Sequence, residues 1–271
     1  MARGIENSQL VQGLFDLLHE VLDVLVRFGA RQGGLIRMSQ VSDHLVCLQA
    51  ILEFFQEAAE REIDAVMVGR LLRKKNSGVM HIRKGITPEG RRRFTIAHEL
   101  GHWELHEQYS QFLCDVEDMR DYGRSPLEVE ANHFAAELLM PRSHFEAACG
   151  SSEPSMALIE SLADQFETTL TATAIRFADT TKRKVVVVWF KDGVIQWSHE
   201  NKKSGTPFVV AGRKPPAFSS ATLPVEELDS GMAHYDDADW FPQIEWGKDG
   251  VQEETKRMPK LNAGLTLLWI P

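Results

Sequence analysis

The stretch RFTIAHELGHWELH, residues 93–106, decides how the rest of the chain is interpreted. Within it, residues 98–102 (HELGH) match the pattern H-E-x-x-H. Residues four positions apart lie one turn apart on the same face of a helix, so His98 and His102 can direct both imidazoles at one ion. Glu99 lies beside that face, where it can accept a proton from the attacking water molecule. The stretch therefore predicts a zinc-dependent peptidase.

A surface helix that carries two histidines and a glutamate by chance would give the same match. The stretch argues against a surface position, because apolar residues recur through it and give the helix one apolar face. Buried polar side chains are costly when they lack partners, so two histidines on such a helix need one. A shared metal ion would be that partner. The apolar positions are Phe94, Ile96, Ala97, Leu100, Gly101 and Leu105.

The composition is typical of a soluble globular protein, because the 271 residues are 43% hydrophobic and 25% charged. The net charge of −9 argues against direct binding of nucleic acid, which requires a basic surface. Cysteines occur at positions 47, 114 and 149, and none forms a C-x-x-C pair. Three widely spaced cysteines indicate no disulfide framework, and they fit a reducing cytoplasm.

Neither a signal peptide nor a membrane span is expected near the start of the sequence. Residues 1–8 are polar, and the apolar segment that follows contains Asp16, Glu20 and Asp23. Three acidic residues are incompatible with the apolar core of a signal peptide and with a transmembrane helix. A peptidase with this sequence would act inside the cell, so its activity must be narrow or controlled.

Two helices are predicted before the metal-binding stretch, over residues 10–28 and 41–63, where apolar residues recur at helical spacing. Residues 65–84 contain short runs rich in Val, Ile and Met around a turn-like NSG, and they predict a β-hairpin. Residues 87–90 form the loop into the metal-binding helix. A strand beside that helix can bind an extended substrate by strand addition, unless both of its edges are already paired.

A catalytic zinc ion normally has three protein ligands, so one more donor is required. His106 cannot supply it from the same straight helix, because it lies about 12 Å from His98 along the axis. The longer pattern H-E-x-x-H-x-x-G-x-x-H also fails, since Leu105 and Gln108 stand where it needs Gly and His. The polar and acidic residues 108–126 predict a loop near the cleft. The ligand is therefore expected from the next helix.

That helix is predicted over residues 127–140, LEVEANHFAAELLM, and it ends at Pro141. Glu128 is the favoured ligand, because Asn132 follows one turn later and its amide can hold a ligand in place. Glu130 remains the alternative; it is turned by about 200° around the helix, so the two glutamates cannot share a target. The helix offers four candidate side chains: Glu128, Glu130, Glu137 and, less favoured, His133.

Three segments of the sequence resemble the ImmA/IrrE metallo-endopeptidases. Residues 93–102, with Leu-His at 105–106 behind them, resemble the signature helix of that family. Residues 128–141 (EVEANHFAAELLMP) are similar to its second motif, and residues 162–176 to the helical segment that follows. The resemblance covers roughly residues 65–178, and the first two motifs are specific in combination.

The resemblance implies a zincin-like fold, a Zn²⁺ cofactor and metallo-endopeptidase activity. It implies that His98, His102 and Glu128 are the metal ligands and that Glu99 is the catalytic residue, since families with an E-x-x-A-N motif use its first glutamate as ligand. Such family members are bacterial or phage proteins that act on a helix-turn-helix repressor or an antitoxin-like partner. Cleavage of the repressor switches on genes for stress response or mobile-element transfer, so a protein substrate of this kind is expected.

Two other functions are compatible with the same motifs. The first is a non-catalytic antitoxin or regulatory protein that keeps the metallopeptidase fold and works by binding. Glu99 discriminates against it, because a binding module has no need for that carboxylate. The second is a zinc hydrolase that acts on something other than peptides.

The second half of the sequence predicts helices and then strands. Residues 155–178 can form a helix-turn-helix arrangement, but Arg176 is the lone basic residue on its second helix, so reading of DNA is not expected. Residues 184–198 predict a β-hairpin around an Asp-Gly turn. Residues 206–210 and 265–270 predict further strands, with a polar and acidic region between them.

Peptide hydrolysis also needs a donor that stabilises the developing oxyanion. The sequence does not choose among several candidates for this role, and His199 is a further side chain that could reach a cleft. The candidates are His106, Tyr109, His133, His234 and Tyr235.

The expected fold class is α+β, with a zincin-like metallopeptidase domain of a small antiparallel sheet and active-site helices. A helical linker and a small C-terminal α+β module complete it. The expected domains are an N-terminal helical region (1–64), the zincin-like core (65–150), a helix-turn-helix-like segment (151–180) and the C-terminal module (181–271).

Overall fold

The computed structural model of the protein shows a mixed α+β fold, which confirms the expected fold class. It divides into two compact units between Pro141 and Arg142, and each unit contains one β-sheet. The helix predicted over residues 10–28 lies outside the part of the chain that is described. The described residues are 59–61, 67–74, 77–115, 125–201, 205–217, 219–222, 233–235, 240–241 and 250–270.

The sheet of the first unit has four strands in the order β1-β3-β2-β4. Strands β2 and β3 pair antiparallel, which confirms the hairpin predicted for residues 65–84. The other side of β3 pairs in parallel with β1, and the other side of β2 pairs antiparallel with β4. Among the described residues, β2 is therefore paired on both sides, and β3 is paired on both sides at residues 81–83. The strands are β1 (Ala59–Arg61), β2 (Met67–Lys74), β3 (Ser77–Arg83) and β4 (Gln111–Asp115).

The helix predicted over residues 41–63 is wrong at its end, because residues 59–61 form strand β1. Residues 41–58 lie outside the described part of the chain. The sequence of β1, Ala-Glu-Arg, has good helix formers, so its strand conformation comes from pairing with β3 rather than from local preference. The pairing extends the first sheet into the segment assigned to 1–64, and the domain boundaries drawn from the sequence stay predictions.

The loop predicted over residues 108–126 is wrong at residues 111–115, which form strand β4. Phe112 and Cys114 are buried on one face of β4, whereas Leu113 between them is 50% exposed. Because all three are apolar, the sequence hides the alternation that identifies a half-buried strand. Strand β4 lies at the edge of the sheet formed by the described residues.

Two helices pack on this sheet and against each other. Helix α1 (Glu89–Leu105) carries the HELGH residues, and helix α2 (Pro126–Leu139) confirms the helix predicted over 127–140. The helices approach so closely that a Cβ atom at Gly101 would lie 3.0 Å from the Cα atom of Ala131. Their shared core consists of Val68, Met80, Ile82, Ile86, Ile96, Ala97, Leu100, Phe134, Ala135 and Leu138.

The second unit begins with helices α3 (Arg142–Cys149), α4 (Met156–Gln165) and α5 (Leu170–Thr180). Ser155 and Thr169 cap the helices that follow them. The hydroxyl oxygen of each accepts a hydrogen bond from a backbone N–H three residues later, with a nitrogen–oxygen distance of 3.2 Å. The helices predicted on either side of a turn within residues 155–178 are thus confirmed.

The basic residue on α5 does not face solvent, because Arg176 is only 5% exposed. Helix α5 therefore presents no basic side chain for contact with DNA. Over the residues that the structure describes, no helix has both the length and the apolar character needed to cross a membrane.

The sheet of the second unit has five antiparallel strands in the order β6-β5-β9-β8-β7. It confirms the hairpin predicted for residues 184–198 and the strand predicted for 265–270. The polar strand β8 was missed by the sequence analysis. The strands are β5 (Lys184–Lys191), β6 (Val194–Glu200), β7 (Ala233–Tyr235), β8 (Val251–Met258) and β9 (Ala263–Ile270).

Asp192 and Gly193 make the turn between β5 and β6, and both have positive φ, 52° and 72°. Two-residue hairpin turns require such angles, which Gly and Asp adopt more readily than most residues. The strand predicted for residues 206–210 is wrong, because this segment is irregular. It is attached through a side chain instead, since the backbone N–H of Val209 donates to Ser198 Oγ at 3.2 Å.

Candidate metal centre

Helix α1 places the polar residues of the HELGH pattern inside the first unit. His98, Glu99 and His102 are each 0% exposed. The ring centroids of the two histidines are 4.7 Å apart, as expected for neighbours one turn apart on one face. Arg73 of β2 holds the end of the helix, since its guanidinium donates to the carbonyl oxygen of Trp103 and lies 3.8 Å from the Trp103 ring centroid.

Helix α2 brings Glu128 to the two imidazoles. Glu128 Oε2 lies 3.0 Å from His98 Nε2 and 3.2 Å from His102 Nε2, and the two Nε2 atoms are 3.1 Å apart. A tetrahedral ion with bonds of about 2.0 Å keeps its ligand atoms about 3.3 Å apart, so the three atoms are spaced as ligands of one ion would be. The residues present therefore fit a metal ion, and together with Cys114 they form a group that could hold one.

Asn132 fixes the orientation of His98. His98 Nδ1 lies 2.9 Å from Asn132 Oδ1, and Asn132 is fully buried on α2. An amide oxygen can only accept, so Nδ1 of His98 carries the proton and donates it. The lone pair of the neutral imidazole is then on Nε2, the atom that faces Glu128 and His102.

A second chain of hydrogen bonds fixes His102. His102 Nδ1 lies 2.9 Å from His106 Nδ1, and His106 Nε2 lies 2.9 Å from Glu130 Oε2. Because the carboxylate accepts from His106 Nε2, His106 Nδ1 accepts in turn from His102 Nδ1, and the lone pair of His102 is on Nε2. Glu130, the alternative ligand, thus holds His106, and neither it nor Glu137 belongs to the group around His98.

Burial and hydrogen bonding set the charges of the centre. Burial lowers the pKa of His102 to about 4 against the opposing effect of Glu128, so the imidazole is neutral near pH 7. Burial alone would raise the pKa of Glu128, but the adjacent His102 and His98 imidazoles outweigh it and lower that pKa to about 2. A neutral imidazole and an ionised carboxylate are the forms that bind metal ions.

The comparison with known families agrees with this geometry. Residues 56–178 match the model of the Peptidase M78 family, described as the IrrE N-terminal-like domain. This part of the chain is therefore similar to the IrrE N-terminal-like domain. The match confirms the resemblance to ImmA/IrrE proteins, and it suggests a metallopeptidase type of function.

One solved structure, described as a Mycobacterium tuberculosis transcriptional regulator, is similar to the chain at 14% sequence identity and a TM-score of 0.49. The similarity covers 93% of this chain and 76% of that one. The comparison with curated proteins gives no match.

Within the matched region, the carboxyl group of Glu99 lies against the backbone of β2. A Cβ atom at Gly69 would be 2.0 Å from Glu99 Oε1 and 2.8 Å from its carboxyl carbon. Only glycine leaves this space free for the carboxyl group of Glu99. The sequence analysis did not single out Gly69, since one glycine within a strand pattern has many possible causes.

Strand β4 contributes two further residues that the sequence analysis missed. The ring of Phe112 stacks on His102 with centroids 3.9 Å apart and planes 17° apart. The sulfur of Cys114 belongs to the same group of ligand atoms as His98, His102 and Glu128. The signal that could have found them is a strand with buried positions 112 and 114, but the apolar Leu113 concealed it.

Among the described side chains, the candidates His133 and His199 do not join the group. His133 is exposed on α2. In the second unit, His199 Nε2 donates to Asp179 Oδ1 at 2.7 Å. Strand β7 includes His234 and Tyr235, whose side chains lie outside the described part of the structure.

Proposed function

We propose that the protein is a zinc-dependent endopeptidase. The proposal rests on the convergence of His98 Nε2, His102 Nε2 and Glu128 Oε2 within 3.2 Å of one another. Two imidazoles and one carboxylate are a ligand set of catalytic zinc sites, and membership of a peptidase family supports the assignment. When bound, zinc would supply a Lewis acid that lowers the pKa of water and polarises a peptide carbonyl.

Glu99 is the proposed general base and acid. Its carboxylate accepts a proton from the attacking water molecule and then passes it to the amine that leaves. Glu99 follows His98 directly on α1, so it points to the side of the face that carries the ligands. This suits a general base, which must not itself bind the metal. Its complete burial keeps bulk water away from the proton transfer.

Tyr109 is the proposed donor to the oxyanion. Among the other candidates, His106 is already bonded to His102 and Glu130. Tyr109 follows the end of α1, is 44% exposed, and its ring centroid lies 5.5 Å from that of Phe112. Since Phe112 stacks on His102, Tyr109 is close to the metal-binding group and still accessible to a substrate.

The proposed substrate is a helix-turn-helix repressor, which follows from the resemblance to ImmA/IrrE proteins. An extended segment of it would pair with β4, because no strand of the described residues covers the outer edge of β4. Leu113, which is 50% exposed on β4, adds an apolar contact. A cytoplasmic location is predicted from the three widely spaced cysteines, and a role in stress response or mobile-element transfer from the same resemblance.

The experiment is incubation of the purified protein and zinc with the helix-turn-helix regulator encoded beside its gene. The Glu99→Gln variant should bind metal normally and cleave about 10²-fold to 10⁴-fold more slowly, because it cannot accept the proton. Glu107→Gln makes the same chemical change at an exposed residue and should leave cleavage unchanged.

Equal cleavage by the wild-type protein and the Glu99→Gln variant would contradict the proposed mechanism. Tight binding of the regulator without cleavage by either protein would instead support the non-catalytic regulatory function. Cleavage products are measured by mass spectrometry, and metal content by elemental analysis of the same samples.

A further inference from the structure

Cys114 is the one member of the metal-binding group that the proposed function does not use. It is 0% exposed on β4. Its sulfur and the ligand atoms of His98, His102 and Glu128 all lie within 4.8 Å of one another. The thiol is therefore one of four potential ligands, from three different elements of the first unit, whose ligand atoms lie close together.

We propose that Cys114 is a fourth protein ligand of the metal ion, an inference that rests on the proposed metal site. Zinc–sulfur bonds of about 2.3 Å and zinc–nitrogen bonds of about 2.0 Å place the two ligand atoms about 3.6 Å apart in a tetrahedral site. The separation of up to 4.8 Å exceeds this by at most about 1.2 Å. Rotation of the cysteine side chain closes such a gap without movement of the strand.

The position of β4 supports this assignment independently of the sulfur. Phe112 and Cys114 are two residues apart on the same face of the strand, and the Phe112 ring stacks on the His102 imidazole at 3.9 Å. In the ladder with β2, Cys114 is paired with Gly69, whose missing side chain makes room for Glu99. The strand is thus fixed at both positions against residues of the metal centre.

A fourth protein ligand changes the properties of the site. Three ligands leave one position open for water, whereas four close the tetrahedral shell of zinc. The resting site would then be closed, and Cys114 would have to leave before water could bind. A thiolate beside two imidazoles also selects zinc over magnesium or manganese, which prefer oxygen ligands. On binding, the sulfur–metal bond replaces the S–H bond and the proton passes to solvent.

The competing explanation is that Cys114 is an inert part of the core. It belongs to a small apolar cluster with Leu71 and Phe112, where a thiol packs as an ordinary apolar side chain. Metal spectroscopy separates the two explanations, because only a coordinated thiolate transfers charge to the metal.

The test is to replace the native metal of the full-length protein with Co²⁺ and record its absorption spectrum. We expect visible d–d bands from a four-coordinate site and a near-ultraviolet band from sulfur-to-cobalt charge transfer. Cys114→Ser should remove the near-ultraviolet band and keep d–d absorption. It should also speed the loss of zinc to a chelator by about 100-fold or more, since changes outside the ligand shell already cost 10-fold to 100-fold in affinity.

Two matched variants control for the other cysteines. Cys149→Ser alters a thiol on α3 of the second unit, and Cys47→Ser alters the cysteine outside the described residues. Neither variant should change the spectrum. A Co²⁺ spectrum with d–d bands but no charge-transfer band would overturn the role of Cys114 and leave the proposed zinc site intact. Absence of all Co²⁺ bands would overturn both.

Discussion

At the scale of single residues, the candidate centre is held by side chains that set the free nitrogen of each histidine. Asn132 fixes His98, and His106 fixes His102. The sequence predicted the meeting of the imidazoles with Glu128, because helical spacing and the E-x-x-A-N motif are local patterns. The sequence could not predict the role of Glu130. The angle between Glu128 and Glu130 around the helix shows that Glu130 points away from the ligands, but it does not show that His106 lies next to Glu130.

Removal of the negative charge on Glu130 should weaken metal binding without removing a ligand. In Glu130→Gln the neutral amide oxygen accepts from His106 Nε2 less strongly than the carboxylate does, so the orientation of His102 loosens. We expect the metal affinity to fall by about 10-fold to 100-fold, measured by competition with a chelator. Glu146→Gln, an exposed glutamate on α3, is the control. Unchanged affinity in Glu130→Gln would show that the chain of hydrogen bonds has no role in binding.

The stability of the metal-free protein should fall as the pH decreases from about 6.5 towards 2. Between its ordinary pKa of 6.5 and its folded pKa of about 4, His102 is protonated in the unfolded chain but not in the folded one, so acid favours unfolding. Glu128 also contributes to the loss of stability, between pH 4.5 and about pH 2, because its pKa in the folded protein is lowered as well. The His102 contribution is on the order of 3 kcal/mol.

Urea unfolding at pH 7 and at pH 4, with the metal removed, measures this dependence. The free energy of unfolding should fall more between the two values in the wild-type protein than in His102→Gln, which lacks the titrating imidazole. If the free energy of unfolding falls equally in both proteins, His102 is not the cause of the pH dependence.

At the scale of elements, the centre depends on close approaches between α1 and its neighbours. The sequence predicted α1, α2 and the hairpin, because each has a periodic apolar pattern. It missed β1 and β4, whose strand conformation comes from pairing with β3 and β2. It therefore also missed Phe112 and Cys114, which reach the centre only because β4 is a strand.

Replacement of Gly69 by alanine should impair catalysis more than metal binding. The new Cβ would lie 2.0 Å from Glu99 Oε1, so the flexible carboxylate would be displaced while the ligands stay in place. We expect cleavage to slow by about 10²-fold or more with metal content unchanged. Full activity in Gly69→Ala would show that Glu99 does not act from this position.

Gly101→Ala provides the contrast, because its Cβ would meet the backbone of Ala131 on α2 at 3.0 Å. Backbone cannot rotate away, so α2 must shift and carry Glu128 with it. This variant should lose metal affinity as well as activity.

At the scale of the whole molecule, the second unit has its own core and its own buried polar network. Glu253 of β8 is 0% exposed, and its carboxylate accepts hydrogen bonds from Ser219 Oγ and Trp240 Nε1, both at 2.7 Å, and from Ser220 Oγ. This network attaches two irregular segments to the sheet. The sequence could not predict it, because β8 reads as a polar segment and its partners are distant in the chain.

Glu253→Ala should destabilise the second unit by about 2–4 kcal/mol, because it leaves two buried donors, Ser219 Oγ and Trp240 Nε1, without their acceptor. Glu253→Gln keeps an acceptor oxygen and should cost less. Chemical denaturation followed by tryptophan fluorescence measures both. Since the metal centre lies in the first unit, metal affinity should be unchanged in both variants. A loss of metal in Glu253→Ala would show that metal binding in the first unit depends on the stability of the second unit.

The central claim is that His98, His102 and Glu128 hold one zinc ion. Anomalous diffraction from crystals of the zinc-loaded protein, recorded on both sides of the zinc absorption edge, tests it most directly. We expect one strong peak bounded by His98 Nε2, His102 Nε2 and Glu128 Oε2. A map without a peak there, or with zinc bound only at other residues, would contradict it.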